Sequence, residues 1–182
     1  MKTRFIIIGL ALLQVACAGK GPAPRVSYYQ LPDVALFRAN GSVVLPPKRL
    51  VVNRVGTTDV LAQTGIVTST ADAQVITANF HHWSELPELA LQRSLGRCLQ
   101  GSELKVAGIV SLEVDAFQSD GKGGSSFSGE WSFSPKSNPR AQKQYRFHYR
   151  EALKADGYPA LVNALAKSVR RLCGDIAVQL RK

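Results

Sequence analysis

Three histidines, three cysteines and a thin scatter of carboxylates are the residues of this chain that could carry chemistry. His81-His82-Trp83 has the composition of a metal or stacking site, but the same residues suit a strand-to-helix connection in which Trp83 packs, and that is our reading. His148 alternates with Arg146 and Arg150 and reads as a solvated-face residue. Glu113, Asp115 and Glu130 could form an acid–base pair; charge pairing with Arg146 and Arg150 accounts for them as well. Asp120-Gly121-Lys122-Gly123-Gly124-Ser125 resembles a phosphate loop only superficially, because Lys122 is followed by Gly123 rather than Ser or Thr. It reads as a β-turn. No serine sits in a G-x-S-x-G frame. Lys136–Arg150 holds five basic residues and no acid, enough to touch head groups or a partner, although a solvated hairpin is the simpler reading. These residues predict no catalytic group, no metal and no cofactor: the chain is not expected to be an enzyme.

The cysteines point to export. Lys2 and Arg4 precede an apolar run, Phe5–Leu13, and then the small residues around Val15-Ala16-Cys17-Ala18-Gly19. A basic end, a short apolar segment and a small-residue cleavage site form a bacterial signal peptide. The run is shorter than the roughly 20 residues that span a bilayer. Cleavage before Cys17 would leave that cysteine as the lipid attachment site. The usual lipobox has Leu three residues before the cysteine; here Gln14 stands there, with Leu13 one step back. Ala16-Cys17-Ala18 can alternatively serve as an A-x-A site that removes Cys17. Cys98 and Cys173 then remain as an even pair in an oxidising compartment. They can form a disulfide if their helices lie side by side, within about 7 Å between Cα atoms, or stay as two buried thiols.

The elements that must position these residues follow from periodicity. Gly19–Arg25 is a Gly/Pro tether. Ser27–Pro32 reads as a short strand ended by proline, and Val43–Leu45 as a segment closed by Pro46-Pro47. Leu50–Val55, Gly65–Thr70 and Ala73–Ala78 are rich in β-branched residues and read as strands, the last two a hairpin around Ala71-Asp72. Ser84 is the expected N-cap of a helix with Glu85, Pro87 and Glu88 in its first turn and a core stripe of Leu91, Leu95, Cys98 and Leu99. Gly108–Gln118, Ser125–Ser134 and Gln142–Arg150 alternate apolar and polar residues, the mark of a sheet with one buried face. After Asp156-Gly157, Tyr158-Pro159 opens a second helix with the stripe Val162, Leu165, Val169, Leu172, Cys173, Ile176 and Leu180. Gly174 inside it is read as a close-packing position beside Cys173. The predicted fold is α+β: a largely antiparallel sheet with two long helices packed on one face.

Composition bounds the function. The 182 residues are 45% hydrophobic and 20% charged, with a formal net charge of +10, which describes one globular domain with a real core. A basic exported protein suits anionic partners such as lipid head groups or acidic protein surfaces. No block of Lys/Arg is long enough to argue for nucleic acid.

Tyr28-Tyr29-Gln30-Leu31-Pro32 after an export signal, Leu50-Val51-Val52-Asn53-Arg54-Val55, Ser128-Gly129-Glu130-Trp131 and Asp156-Gly157-Tyr158 occur in this order. In that combination the chain resembles the PqiC-like auxiliary lipoproteins of ABC-type, MCE-domain lipid-transport systems (the Pqi intermembrane transport group), over nearly the whole mature chain. Thr58 stands where the family pattern has Pro, and the lipobox is irregular. The resemblance implies an outer-membrane lipoprotein facing the periplasm, lipid-anchored through Cys17. Its implied partner is an MCE-domain protein of the same system, with self-association as a further possibility and no nucleic acid. Ala18 after Cys17, rather than Asp, favours the outer membrane by the enterobacterial sorting rule. The expected organisation is a signal peptide at 1–16, a lipidated N-terminus and tether at 17–26, and a single auxiliary-lipoprotein domain at 27–182. Tyr28, Tyr29, Leu31 and Pro32 are the candidate partner surface. The alternative is a soluble periplasmic lipid- or cell-wall-binding module.

Overall fold

The structure, a computed structural model, describes residues 24–32, 49–70, 72, 74–102 and 104–181. In chain order the elements are β1 (Ser27–Tyr29), β2 (Leu50–Thr57), β3 (Gly65–Ser69), β4 (Val75–Trp83), α1 (Pro87–Gln100), β5 (Gly108–Ser119), β6 (Gly124–Pro135), β7 (Lys143–Ala152) and α2 (Tyr158–Leu180). The signal segment, Cys17 and Val43–Leu45 lie outside the described residues.

Seven strands form one sheet in the order β1-β4-β3-β5-β6-β7, with β2 beside β5. The sheet is mostly but not purely antiparallel, which corrects the sequence expectation in part. β3–β4, β5–β6 and β6–β7 are antiparallel, whereas β1–β4, β2–β5 and β3–β5 are parallel. The parallel pairs need long crossovers, and α1 lies in the one between β2 and β5. Period-two alternation cannot report strand direction, so this feature was invisible in the sequence.

The alternating strands form as read. Val110, Leu112 and Val114 of β5, Phe127, Trp131 and Phe133 of β6, and Phe147 and Tyr149 of β7 are buried on one face. Their rings continue one another across strands: Trp83 to Phe117 at 5.4 Å between centroids, Phe117 to Phe127 at 5.2 Å, and Phe127 to Phe147 at 4.8 Å. Each such side chain contributes roughly 1.5–3 kcal/mol by leaving water. The stripes of both helices are buried as expected. α2 packs on β5, β6 and β7, while α1 packs on β2 and on α2. The two helices are joined by a Cys98–Cys173 disulfide with a Cα separation of 6.4 Å.

Several expectations change. α1 begins at Pro87 with Leu86 at the N-cap and no side-chain cap, because Pro87 takes the first helical position and leaves Ser84 too far upstream. Phe80–Trp83 is the end of β4 rather than a connection, since β1 pairs with it. Gly174 faces open space and does not serve helix packing. Of the expected charge pairs, Glu130 accepts from Arg146 at 2.8 Å, whereas Glu113 faces Arg54 on β2 at 3.7 Å.

Candidate functional site

β1 is only three residues long and sits at the edge of the sheet. Ser27, Tyr28 and Tyr29 lie in register with His81, His82 and Trp83, and the Ser84 N–H donates to the Tyr29 carbonyl at 2.8 Å. Alternation gives this short pair two chemically different faces. On the inner face Tyr29 contacts His81, its hydroxyl 3.0 Å from His81 Nδ1, and Tyr158 at the start of α2 stacks on the His81 ring at 3.9 Å. On the outer face Tyr28 lies against His82, with centroids 5.9 Å apart. Thr64 Oγ1 is 3.2 Å from His82 Nδ1, and the Asn79 carbonyl is 3.0 Å from Nε2. Phe80 shares this face by alternation and is exposed.

The structure therefore separates the four residues expected to form a partner surface. Tyr28 is 70% exposed, whereas Leu31 is 1% exposed and belongs to the core. Tyr29 and Pro32 are half-buried, Tyr29 as the backing of the patch. Phe80 and His82 share the outer face with Tyr28. Sequence reasoning read the two β4 residues as a connection; their membership becomes visible only once β1 pairs with β4.

A second cluster clamps α2 to β7. Glu151 is buried and accepts hydrogen bonds from Lys167 and, at 2.8 Å, from Arg171. Those two hydrogen bonds hold its carboxyl below the usual carboxylate range. Tyr149 donates to Asp175 at 2.5 Å, and the Arg171 guanidinium lies 5.0 Å from the Tyr149 ring centre. Burial, then the hydrogen bond to Asp175, pushes the Tyr149 hydroxyl up, so it stays protonated. Alternation from Tyr145 through Phe147 and Tyr149 already places Glu151 on the buried face, a signal the sequence reading passed over.

His148 lies exposed on the outer sheet face, its Nε2 3.4 Å from Ser126 Oγ. A cleft of about 450 Å³ lies between β2 and α1, lined by Val51, Leu89, Gln92 and Gly96 among others. The Gln92 amide closes part of it by donating to the Val52 and Asn53 carbonyls at 3.1 and 2.9 Å. Among the described residues no three His, Cys, Asp or Glu side chains are grouped to hold a metal ion, and no helix is long and apolar enough to cross a membrane.

The sheet ends in an exposed aromatic edge and is backed by two disulfide-linked helices. The chain belongs to the family described as ABC-type transport auxiliary lipoprotein component, whose model matches residues 29–177. Membership makes it a membrane-anchored, periplasm-facing transport auxiliary component and points to a non-enzymatic role. No curated protein matches the chain. It is similar to an uncharacterized protein of known crystal structure, with a TM-score of 0.70 and 25% identity over 85% of this chain and 98% of that one. It also shares its fold with protein XCC0632 from Xanthomonas campestris, of family DUF330, with a TM-score of 0.63 and 15% identity over 82% of this chain and 92% of that one.

Proposed function

We propose that the chain is a PqiC-like outer-membrane lipoprotein of an MCE/ABC-type intermembrane lipid-transport system. It acts there as the non-enzymatic docking partner of the MCE-domain protein. Cys17 carries the lipid, residues 1–16 are the signal peptide, and residues 17–26 tether the folded domain. The observation that carries the docking role is the β1 edge. Tyr28 stands 70% exposed on a short edge strand, on a backing fixed by the Tyr29–His81–Tyr158 stack. An exposed aromatic seated on packed rings is the kind of anchor that dominates binding interfaces. Self-association through the same edge would multiply the docking sites.

The test is a site-specific photo-crosslinker at Tyr28 in cells that express the whole transport system. Crosslinking to the MCE-domain protein is expected, and its loss in Tyr28→Ala co-purification. Crosslinks only to unrelated envelope proteins would sink the reading. Intact mass of the mature protein decides the anchor: a lipid-bearing chain starting at Cys17 supports it, and a chain starting at Gly19 overturns it. Light scattering on the purified protein, if it returns only monomer at high concentration, removes self-association.

A further inference from the structure

Six basic residues of this chain gather at one end of the fold, and they come from segments far apart in sequence. The Gly108 N–H donates to the Arg49 carbonyl at 3.0 Å, and the Lys136 N–H to the Ala107 carbonyl at 2.9 Å. Arg181 reaches the Ser102 carbonyl at 3.3 Å. These contacts draw the start of β2, the α1–β5 loop, the β6–β7 turn and the end of α2 together. Arg49, Lys105, Lys136, Arg140, Lys143 and Arg181 all lie there and are all exposed. None of them forms an ion pair among the described residues. The only acid in these segments is Glu103, which lies outside the described residues. The opposite end, around the β5–β6 turn, mixes signs: Asp120 and Asp156 with Lys122 and Lys154.

We infer that this basic end is a docking surface for the anionic phosphate head groups of a lipid bilayer. Its shape and chemistry favour lipid over an acidic protein. The cations sit on turns and element ends, with no aromatic anchor among them of the sort a protein partner's pocket takes. Next to Arg49 the register partners Val51 and Ile109 are each 44% exposed. A small aliphatic patch beside cations matches a bilayer surface, where acyl surface lies beneath phosphates.

The tether joins the fold away from this end. β1 is parallel to β4, β4 is antiparallel to β3, and β3 is parallel to β5, so β1 runs antiparallel to β5 and the chain before Ser27 leaves toward the β5–β6 turn. The basic end lies at the start of β5, and its contact with a bilayer does not depend on an anchor at Cys17.

The test uses the non-lipidated chain from Ala18 to Lys182, which keeps every described element, so that the anchor plays no part. It should float with phosphatidylcholine vesicles containing about 30% phosphatidylglycerol, since each surface cation adds roughly fivefold in affinity near an anionic bilayer. Binding should disappear between about 50 and 300 mM salt. The triple variant Lys105→Glu/Lys136→Glu/Arg140→Glu should bind at least tenfold more weakly. A control of equal charge change at the other end, Lys122→Glu/Arg150→Glu/Lys154→Glu, should stay within about threefold of the parent. Thermal melts confirm that both variants fold. Equal loss in both triples would reduce the effect to net charge and overturn the proposal. So would equal flotation with pure phosphatidylcholine, or a parent chain that ignores the vesicles yet binds an acidic polypeptide. Co-purification with the MCE-domain protein is scored separately, so failure here leaves the Tyr28 docking reading standing, and the reverse.

Discussion

A methyl group at Gly129 would overlap the carbonyl oxygen of Glu113 on the neighbouring strand. The register of β5 against β6 shifts between Val114 and Ala116, and the bulge pushes the β5 backbone onto Gly129. That gives Ser128-Gly129-Glu130-Trp131 a steric reason rather than a functional one. Gly129→Ala should cost about 2–4 kcal/mol, because the obstacle is backbone and cannot rotate away; a urea midpoint equal to the parent's would refute the argument. Glu151 supplies a second residue-scale effect. Its folded carboxyl titrates below its ordinary value of 4.5, so its stabilisation is complete above pH 4.5 and is lost as pH falls through the lower folded value. Glu151→Gln should be less stable than the parent at pH 7 by about 1–3 kcal/mol. The two stability curves should converge as the pH drops below 4.5. A constant gap across that range would show that Glu151 is held by packing alone.

At the scale of elements, the disulfide fastens α1 to α2 across 75 residues of chain. Both sulfurs are buried, Cys98 at 2% and Cys173 at 1% exposure, so reductant reaches them only through opening. Closing so long a loop in the unfolded chain should stabilise the fold by about 2–4 kcal/mol. Paired Cys98→Ala/Cys173→Ala substitution should lower the melting temperature by roughly 5–15 °C, and dithiothreitol should shift the parent's melt but not the variant's. A melt of the double variant that matches the oxidised parent would refute this. Legibility in the sequence followed element length. β5, β6 and β7 run ten to twelve residues each, long enough for alternation to mark the buried face and for Glu130 and Arg146 to be paired in advance. The helical stripes were equally plain, and they brought Cys98 and Cys173 onto buried faces. β1 has three residues, too few for any period, and its parallel partner lies over fifty residues away. The outer patch of Tyr28, Phe80 and His82 therefore could not be assembled from the sequence, and Leu31 looked like surface although it is core. The same holds for the basic end, whose residues are adjacent only after β2, α1 and α2 are in place.

The whole molecule divides unevenly. β5, β6 and β7 share long antiparallel ladders beneath α2, and the disulfide locks α1 to that unit. β1, β4 and β3 join it through the single register pair Thr68–Ser119, reinforced by the Trp83–Phe117 ring contact and the stack of Tyr158 on His81. Cooperative units with fewer cross-links open at lower free energy, and here that unit carries the aromatic edge. Amides of His81–Trp83 and Tyr29 should therefore exchange with deuterium at least about tenfold faster than those of Val110–Val114 and Trp131–Phe133. Reducing the disulfide should speed exchange in α1 and α2 before it changes the β1–β4 pair, because the covalent link lies outside that unit. A partner seated on Tyr28 should slow exchange at His81–Trp83 selectively, since it stabilises only the closed edge. Uniform protection across β1, β4, β5 and β6 in the isolated protein would mean that the sheet opens as one body. The docking edge would then be as rigid as the core behind it, and binding could not be read as the ordering of a less stable unit.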